Sequence, residues 1–118
     1  MDVDMFFADF PESRRLFDLV QAYAMDAGEC HLKITKSQVA FVRSRPFAWA
    51  WVPEMYLHRK AAPLVLSFAF RARDPSPRWK EIYEAKPGRY THHLELWSFN
   101  DVDGEVRTWL KAAWNTAA

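Results

Sequence analysis

The chain reads as an α+β protein: an antiparallel sheet with one helix from each end of the chain packed on a single face. Three observations predict this. Apolar residues recur at helical spacing near both termini. The middle of the chain alternates large and small side chains every second position. The connections between those alternating stretches are mostly short, which favours antiparallel pairing and leaves the helices to cover one face. The 118 residues suit one domain spanning 1–118, and a chain of that size buries roughly two-thirds of its unfolded surface on folding. Half of the residues are hydrophobic and 16% are aromatic, ample for a packed core and unlike a disordered chain.

Each element follows from local chemistry. Phe6 and Phe7 anchor an N-terminal arm, and Pro11 suits the first turn of a helix. Leu16, Val20, Tyr23, Ala24 and Ala27 continue it to a stop at Gly28. His31 to Thr35 reads as a strand with Leu32 and Ile34 inward, and Gln38 to Arg43 reads as a second. Phe47 to Val52 alternates Phe47, Trp49 and Trp51 with Ala48, Ala50 and Val52, and Pro53 ends it. Leu64 to Arg71 is a fourth strand. Residues 72–88 form the longest connection, where Ser76-Pro77 predicts a short capped helix with Trp79, Ile82 and Tyr83 on one side. Pro87-Gly88 turns the chain into a fifth strand, Arg89 to Leu96. Asn100 or Asp101 opens the last helix, striped by Val102, Val106, Trp109, Leu110, Ala113 and Trp114.

Sorting the strands by parity gives two faces. Phe47, Trp49 and Trp51, with Leu64, Leu66, Phe68, Phe70, Tyr90, His92, Leu94 and Leu96, form the bulky face expected under the helices; Val39 and Phe41 join it. Ala48, Ala50, Val65, Ser67 and Ala69 form a small-residue face, joined by Gln38, Ala40 and Val42 and bordered by Lys36, Thr91, His93 and Glu95. A small-residue floor with a polar rim fits a ligand pocket. It fits equally a face that allows a second subunit to pack closely.

Charge is distributed unevenly. Residues 1–29 carry a net −5, residues 30–93 a net +8 and residues 94–118 a net −2. Acidic terminal helices on a basic sheet attract each other, and the same pattern suits an anion-binding face. Several arginines stand near turns, where bidentate bonds to carboxylate or phosphate are easily made. A nucleic-acid track is the less favoured reading of these charges, since the sequence pI is only about 7.9.

The stretch Thr91-His92-His93 is the most chemical one. Adjacent strand residues diverge, so the two histidines do not converge on one metal, and no metal or cofactor is expected. His92 is expected at the edge of the core beneath the last helix. His93, beside Glu95 on the open face, has the pKa range of a general acid or base. No serine or cysteine is marked locally as a nucleophile, and three glycines exclude the common phosphate-cradling loops. The lone Cys30 excludes an internal disulfide. Absent a signal peptide or an apolar run long enough for a bilayer, no membrane partner and a cytoplasmic location are expected.

The series Lys36-x-Gln38-x-x-Phe41, Arg45-x-Phe47-Ala48, Leu64-Val65-Leu66-Ser67-Phe68, Ser76-Pro77-Arg78 and Gly88-Arg89-Tyr90-Thr91-His92-His93 resembles an uncharacterised bacterial family catalogued only as a domain of unknown function. The resemblance covers nearly the whole chain. It implies a small intracellular α+β domain and groups Lys36, Gln38, Arg45, Arg78, Arg89, His92 and His93 in one pattern, without assigning a catalytic residue.

The resulting expectation is a binding module for an anionic small molecule or acidic peptide, held by Lys36, Gln38, Arg45, Arg78, Arg89, Thr91 and His93. The alternatives are an enzyme using His93 as general acid or base, a nucleic-acid-binding module, and a homodimer formed through the small-residue face.

Overall fold

A computed structural model describes residues 1–57 and 59–118. Six strands form one antiparallel sheet in the order β1-β2-β3-β4-β6-β5: β1 His31–Ile34, β2 Val39–Val42, β3 Pro46–Trp51, β4 Leu64–Phe70, β5 Glu81–Lys86 and β6 Arg89–Leu96. A short N-terminal helix, α1 (Val3–Phe6), precedes α2 (Pro11–Ala27), and α3 (Gly104–Thr116) ends the chain. The two long helices touch each other and lie on the same face of β3 and β4. The α+β class and the helix placement match the expectation from sequence.

The helices form where local chemistry places them. Pro11 occupies the first turn of α2, and the helix ends against Gly28. A Cβ at Gly28 would clash with the Trp114 ring, so only glycine allows that approach. The start of α3 lies later than expected. Asp103, not Asn100 or Asp101, caps it by accepting from the Val106 N–H, while Phe99–Asp101 forms a separate 3-10 turn.

The sheet has six strands rather than five. Residues 81–86 were expected inside a connection whose short helix put Ile82 and Tyr83 on one side; instead they pair with β6 as an edge strand. Glu, Ala and Lys favour helices in isolation, but the turn overrides them. Lys86 pairs with Arg89 across Pro87-Gly88, and Gly88 has φ +74°, the left-handed position that a tight turn of this kind requires. Ile82 and Tyr83 therefore point to opposite faces, opposite His92 and Thr91 respectively. Trp79 lies in the preceding loop with its ring 4.2 Å from that of Trp109 on α3.

The faces also differ from the parity assignment at one strand. Ala48 pairs with Phe68 and Ala50 with Leu66, so the alanines lie beneath the helices. Trp49 pairs with Ser67 and Trp51 with Val65, on the open face. The size rule fails here because large side chains of neighbouring elements occupy the space over the two alanines. The core volume is filled instead from flanking positions by Phe17, Phe41, Phe68 and Leu110, all fully buried. Phe47 alone of the bulky trio reaches the core. A bulge in β3 leaves it opposite no residue of β2, and its ring lies 6.4 Å from that of Phe41.

Candidate functional site

With Trp49 and Trp51 on the open face, that surface becomes an aromatic-walled depression rather than a bed of small residues. Its floor includes Val65 and Ser67, both buried. The β3–β4 loop folds back towards the β1–β2 turn, where the Tyr56 hydroxyl donates to the Ser37 carbonyl at 3.1 Å. Two cavities result. One, of about 500 Å³, is lined by Gln38, Trp49, Ser67, Tyr83, Arg89 and Thr91 among others. The second, of about 460 Å³, lies towards Leu57, Lys60 and Trp97. Trp51 and His93 line both.

His93 is the centre of this surface. It pairs with Ser67 on β4 and Glu81 on β5. Its Nδ1 lies 2.6 Å from the Ser67 hydroxyl oxygen, which also accepts from the Trp51 indole N–H at 3.1 Å. Ser67 is only 3% exposed, so its own proton needs an acceptor within the protein, and His93 Nδ1 is the one in reach. We therefore assign the Ser67 O–H as donor to Nδ1. The remaining proton of the neutral ring then sits on Nε2. Nε2 bonds to none of the described residues, yet no buried side-chain nitrogen or oxygen among them lacks a partner, so Nε2 is open to solvent. Burial lowers the His93 pKa below 6.5, with the Glu81 charge opposing, so the ring is mainly neutral at pH 7.

Ser67 is not placed as a nucleophile. It is buried in mid-strand, and its hydrogen bond runs to Nδ1 of a ring whose other nitrogen faces outward. Its evident work is to hold His93. Cys30 is half-buried with its thiol pKa raised by burial, the opposite of an activated thiolate.

His92 contrasts with its neighbour. It is fully buried, with its ring 4.7 Å from Phe70 and 4.9 Å from Trp79. Nε2 accepts from the Asp74 N–H at 3.0 Å, and Nδ1–H donates to the Tyr90 carbonyl at 3.2 Å. Trp79, held by its own indole bond to the Asp74 carboxylate, lies between His92 and the Trp109 ring of α3. Both ring nitrogens are satisfied by backbone, so the role is structural, and burial pushes the pKa down despite the Tyr90 carbonyl.

The residues expected to form one site divide among four places. Gln38, Arg89, Thr91 and His93 line the larger cavity together. Lys36 is exposed on the β1–β2 turn, and only its neighbours Ser37 and Gln38 reach that cavity. Arg45 lies at the far end of the sheet, donating to the Thr116 carbonyl at the close of α3. Arg78 binds Asp103 and Glu105 and donates to the Asp101 carbonyl, clamping the start of α3. Lys36, Arg45 and Arg78 therefore do not converge with His93. Sequence inspection missed Trp49, Trp51, Tyr83 and Tyr56 as site residues. A signal was present: the alternation of Trp49 and Trp51 with alanines puts one set outside whichever set is inside. No metal-binding cluster of His, Cys, Asp or Glu occurs among the described residues, and none of their helices is long and apolar enough to cross a membrane.

Fold and site together define a small α+β domain whose open sheet face carries an aromatic cavity around one oriented histidine. The family described as Domain of unknown function (DUF5655) matches residues 3–117, and the chain belongs to that family. No curated protein and no solved structure matches the chain.

Proposed function

We propose that the domain is a binding module for a small ligand with a flat apolar body and one anionic or hydrogen-bond-accepting end. The apolar body would lie between Trp49, Trp51 and Tyr83, and the acceptor would take the Nε2–H of His93 with Arg89 at the rim. The observation that carries this reading is the Trp51–Ser67–His93 relay, which fixes a donor towards a cavity of ligand size. Among the described residues only one permanent cation, Arg89, lines that cavity, so a single negative charge suits it better than a polyanion or an acidic peptide.

Catalysis by His93 is the second reading, favoured by a solvent-open Nε2 on a neutral ring. Against it, the assigned tautomer has its lone pair turned towards Ser67, where a general base would need it facing substrate. The test is isothermal titration calorimetry with benzoate, indole-3-acetate and neutral indole. The carboxylates should bind more tightly than indole, and His93→Ala should erase that difference. Absence of saturable heat from all three would overturn the reading.

A further inference from the structure

The end of the sheet away from the β3–β4 loop gathers positive charge that the open-face cavity does not use. The β2–β3 turn, the end of β4 and the β5–β6 turn all meet there, and they bring Arg43, Arg45, Arg71, Arg73, Lys86 and Arg89 to one edge of the molecule. Every described ion pair lies elsewhere, on Arg14, Arg78, Lys80 and Arg107. None of the six has a carboxylate within salt-bridge distance among the described residues.

Several of these groups are held in place by neutral partners instead. Arg43 stacks on the Trp114 ring at 3.4 Å and donates to the Trp114 carbonyl. Arg45 donates to the Thr116 carbonyl and Arg89 to the Pro46 carbonyl, each at 3.3 Å through one nitrogen. A guanidinium has five N–H donors, so each keeps others available while its position is fixed. Holding arginines by carbonyls and rings fixes them without a carboxylate partner among the described residues. Four of the six cations, Arg45, Arg71, Lys86 and Arg89, line a cleft of about 150 Å³ together with Gly88 and Thr116. No Asp or Glu among the described residues lines it.

We propose that this cleft is a binding site for a terminal phosphate group, as carried by a small phosphomonoester. Four cations around a concave space of that size match a compact dianion, whereas a nucleic-acid backbone needs a groove that tracks successive phosphates. Planar guanidinium forks from Arg45, Arg71 and Arg89 bind phosphate oxygens in pairs, and Lys86 adds a point charge at the hairpin turn. The site is separate from the aromatic cavity except at Arg89, which borders both.

The test is a ¹H–¹⁵N NMR titration of the full chain with inorganic phosphate and with glycerol 3-phosphate, against sodium chloride at matched ionic strength. Saturable shifts centred on Arg71, Lys86, Gly88 and Arg89 are expected. The Arg71→Ala, Lys86→Ala double variant should weaken binding at least tenfold. Neither exposed side chain makes a described hydrogen bond or ion pair, so the variant should keep its fold, checked by its unchanged remaining spectrum. A response equal to that of chloride, or one unchanged in the double variant, would overturn the proposal. So would a single-stranded oligonucleotide that binds more tightly than glycerol 3-phosphate with a steep salt dependence, which would make the patch a nucleic-acid contact. Trp51→Ala should leave phosphate binding intact, which separates this site from the aromatic cavity.

Discussion

The two faces of the sheet carry neighbouring histidines of the same strand, and they use them in opposite ways. On the helix face, His92 is enclosed by Phe70 and Trp79 with both nitrogens bound to backbone. On the open face, His93 has one nitrogen held by a side chain and the other left to solvent. His92 is fully buried and His93 half-buried, yet burial lowers the pKa of both. A lowered pKa therefore does not separate a histidine closed within the fold from one left open to solvent. The difference is whether the hydrogen-bonding capacity is closed within the fold.

The comparison can be broken first at the core. Phe68→Ala removes a fully buried ring beneath α3 and should cost about 3–5 kcal/mol in urea unfolding. Val65→Ala, on the opposite, open face of the same strand, should cost much less. Equal costs would mean that the open face is covered as tightly as the core, as in a homodimer, and sedimentation would then show the second copy.

The histidines themselves give the next effect. His92→Leu leaves the Asp74 N–H and the Tyr90 carbonyl without partners and should destabilise by about 1–3 kcal/mol. Acid should expose the same residues. Because the folded-state pKa values lie below 6.5, the unfolded chain binds protons that the folded one resists. Stability from these groups is complete above about pH 6.5, declines as the pH falls below it, and levels off once the folded-state pKa values are passed. A variant with Leu at position 92 and Gln at position 93 should show a flatter stability profile across that window, read by chemical denaturation.

A smaller effect is expected at the relay. Ser67→Ala deprives the Trp51 indole of its acceptor and His93 of its anchor, at a cost of about 1 kcal/mol. Its sharper signature is spectroscopic: ¹⁵N shifts should report the Nε2–H tautomer of His93 in the wild type and a mixture in the variant. A wild type already in the Nδ1–H form would reverse the assigned direction of the relay. Smallest of all, Tyr83→Ser on the exposed edge strand, where the ring is 46% exposed, should change stability by no more than about 0.5 kcal/mol. If it also leaves carboxylate binding unchanged, Tyr83 is no wall of the site.

Much of this contrast was legible from the chain. Strand alternation places His92 and His93 on opposite faces, and the flanking Leu94 and Leu96 identify the His92 side as the core. The same logic misassigned Trp49 and Trp51, because alternation states that two sets differ and not which set a helix will cover. It missed the edge strand Glu81–Lys86, whose composition favours helix while its turn dictates a hairpin. The expected ligand set likewise does not gather in one place. Arg45 and Arg78 stand near turns, as the sequence suggests, but each turn belongs to a different end of α3.

By itself, then, the sequence determined the α+β class, the two long helices, the turn at Pro87-Gly88 and the divergence of the two histidines. These depend on periodicities of 3.6 and 2 and on the backbone freedom of glycine, all local properties. Only the tertiary structure decided which face of β3 the helices cover, which arginines clamp α3 and which have no carboxylate partner among the described residues, and that Ser67 fixes the proton of His93. Those outcomes depend on strand register and on how closely helices can approach a sheet, and residues far apart in the chain settle both together.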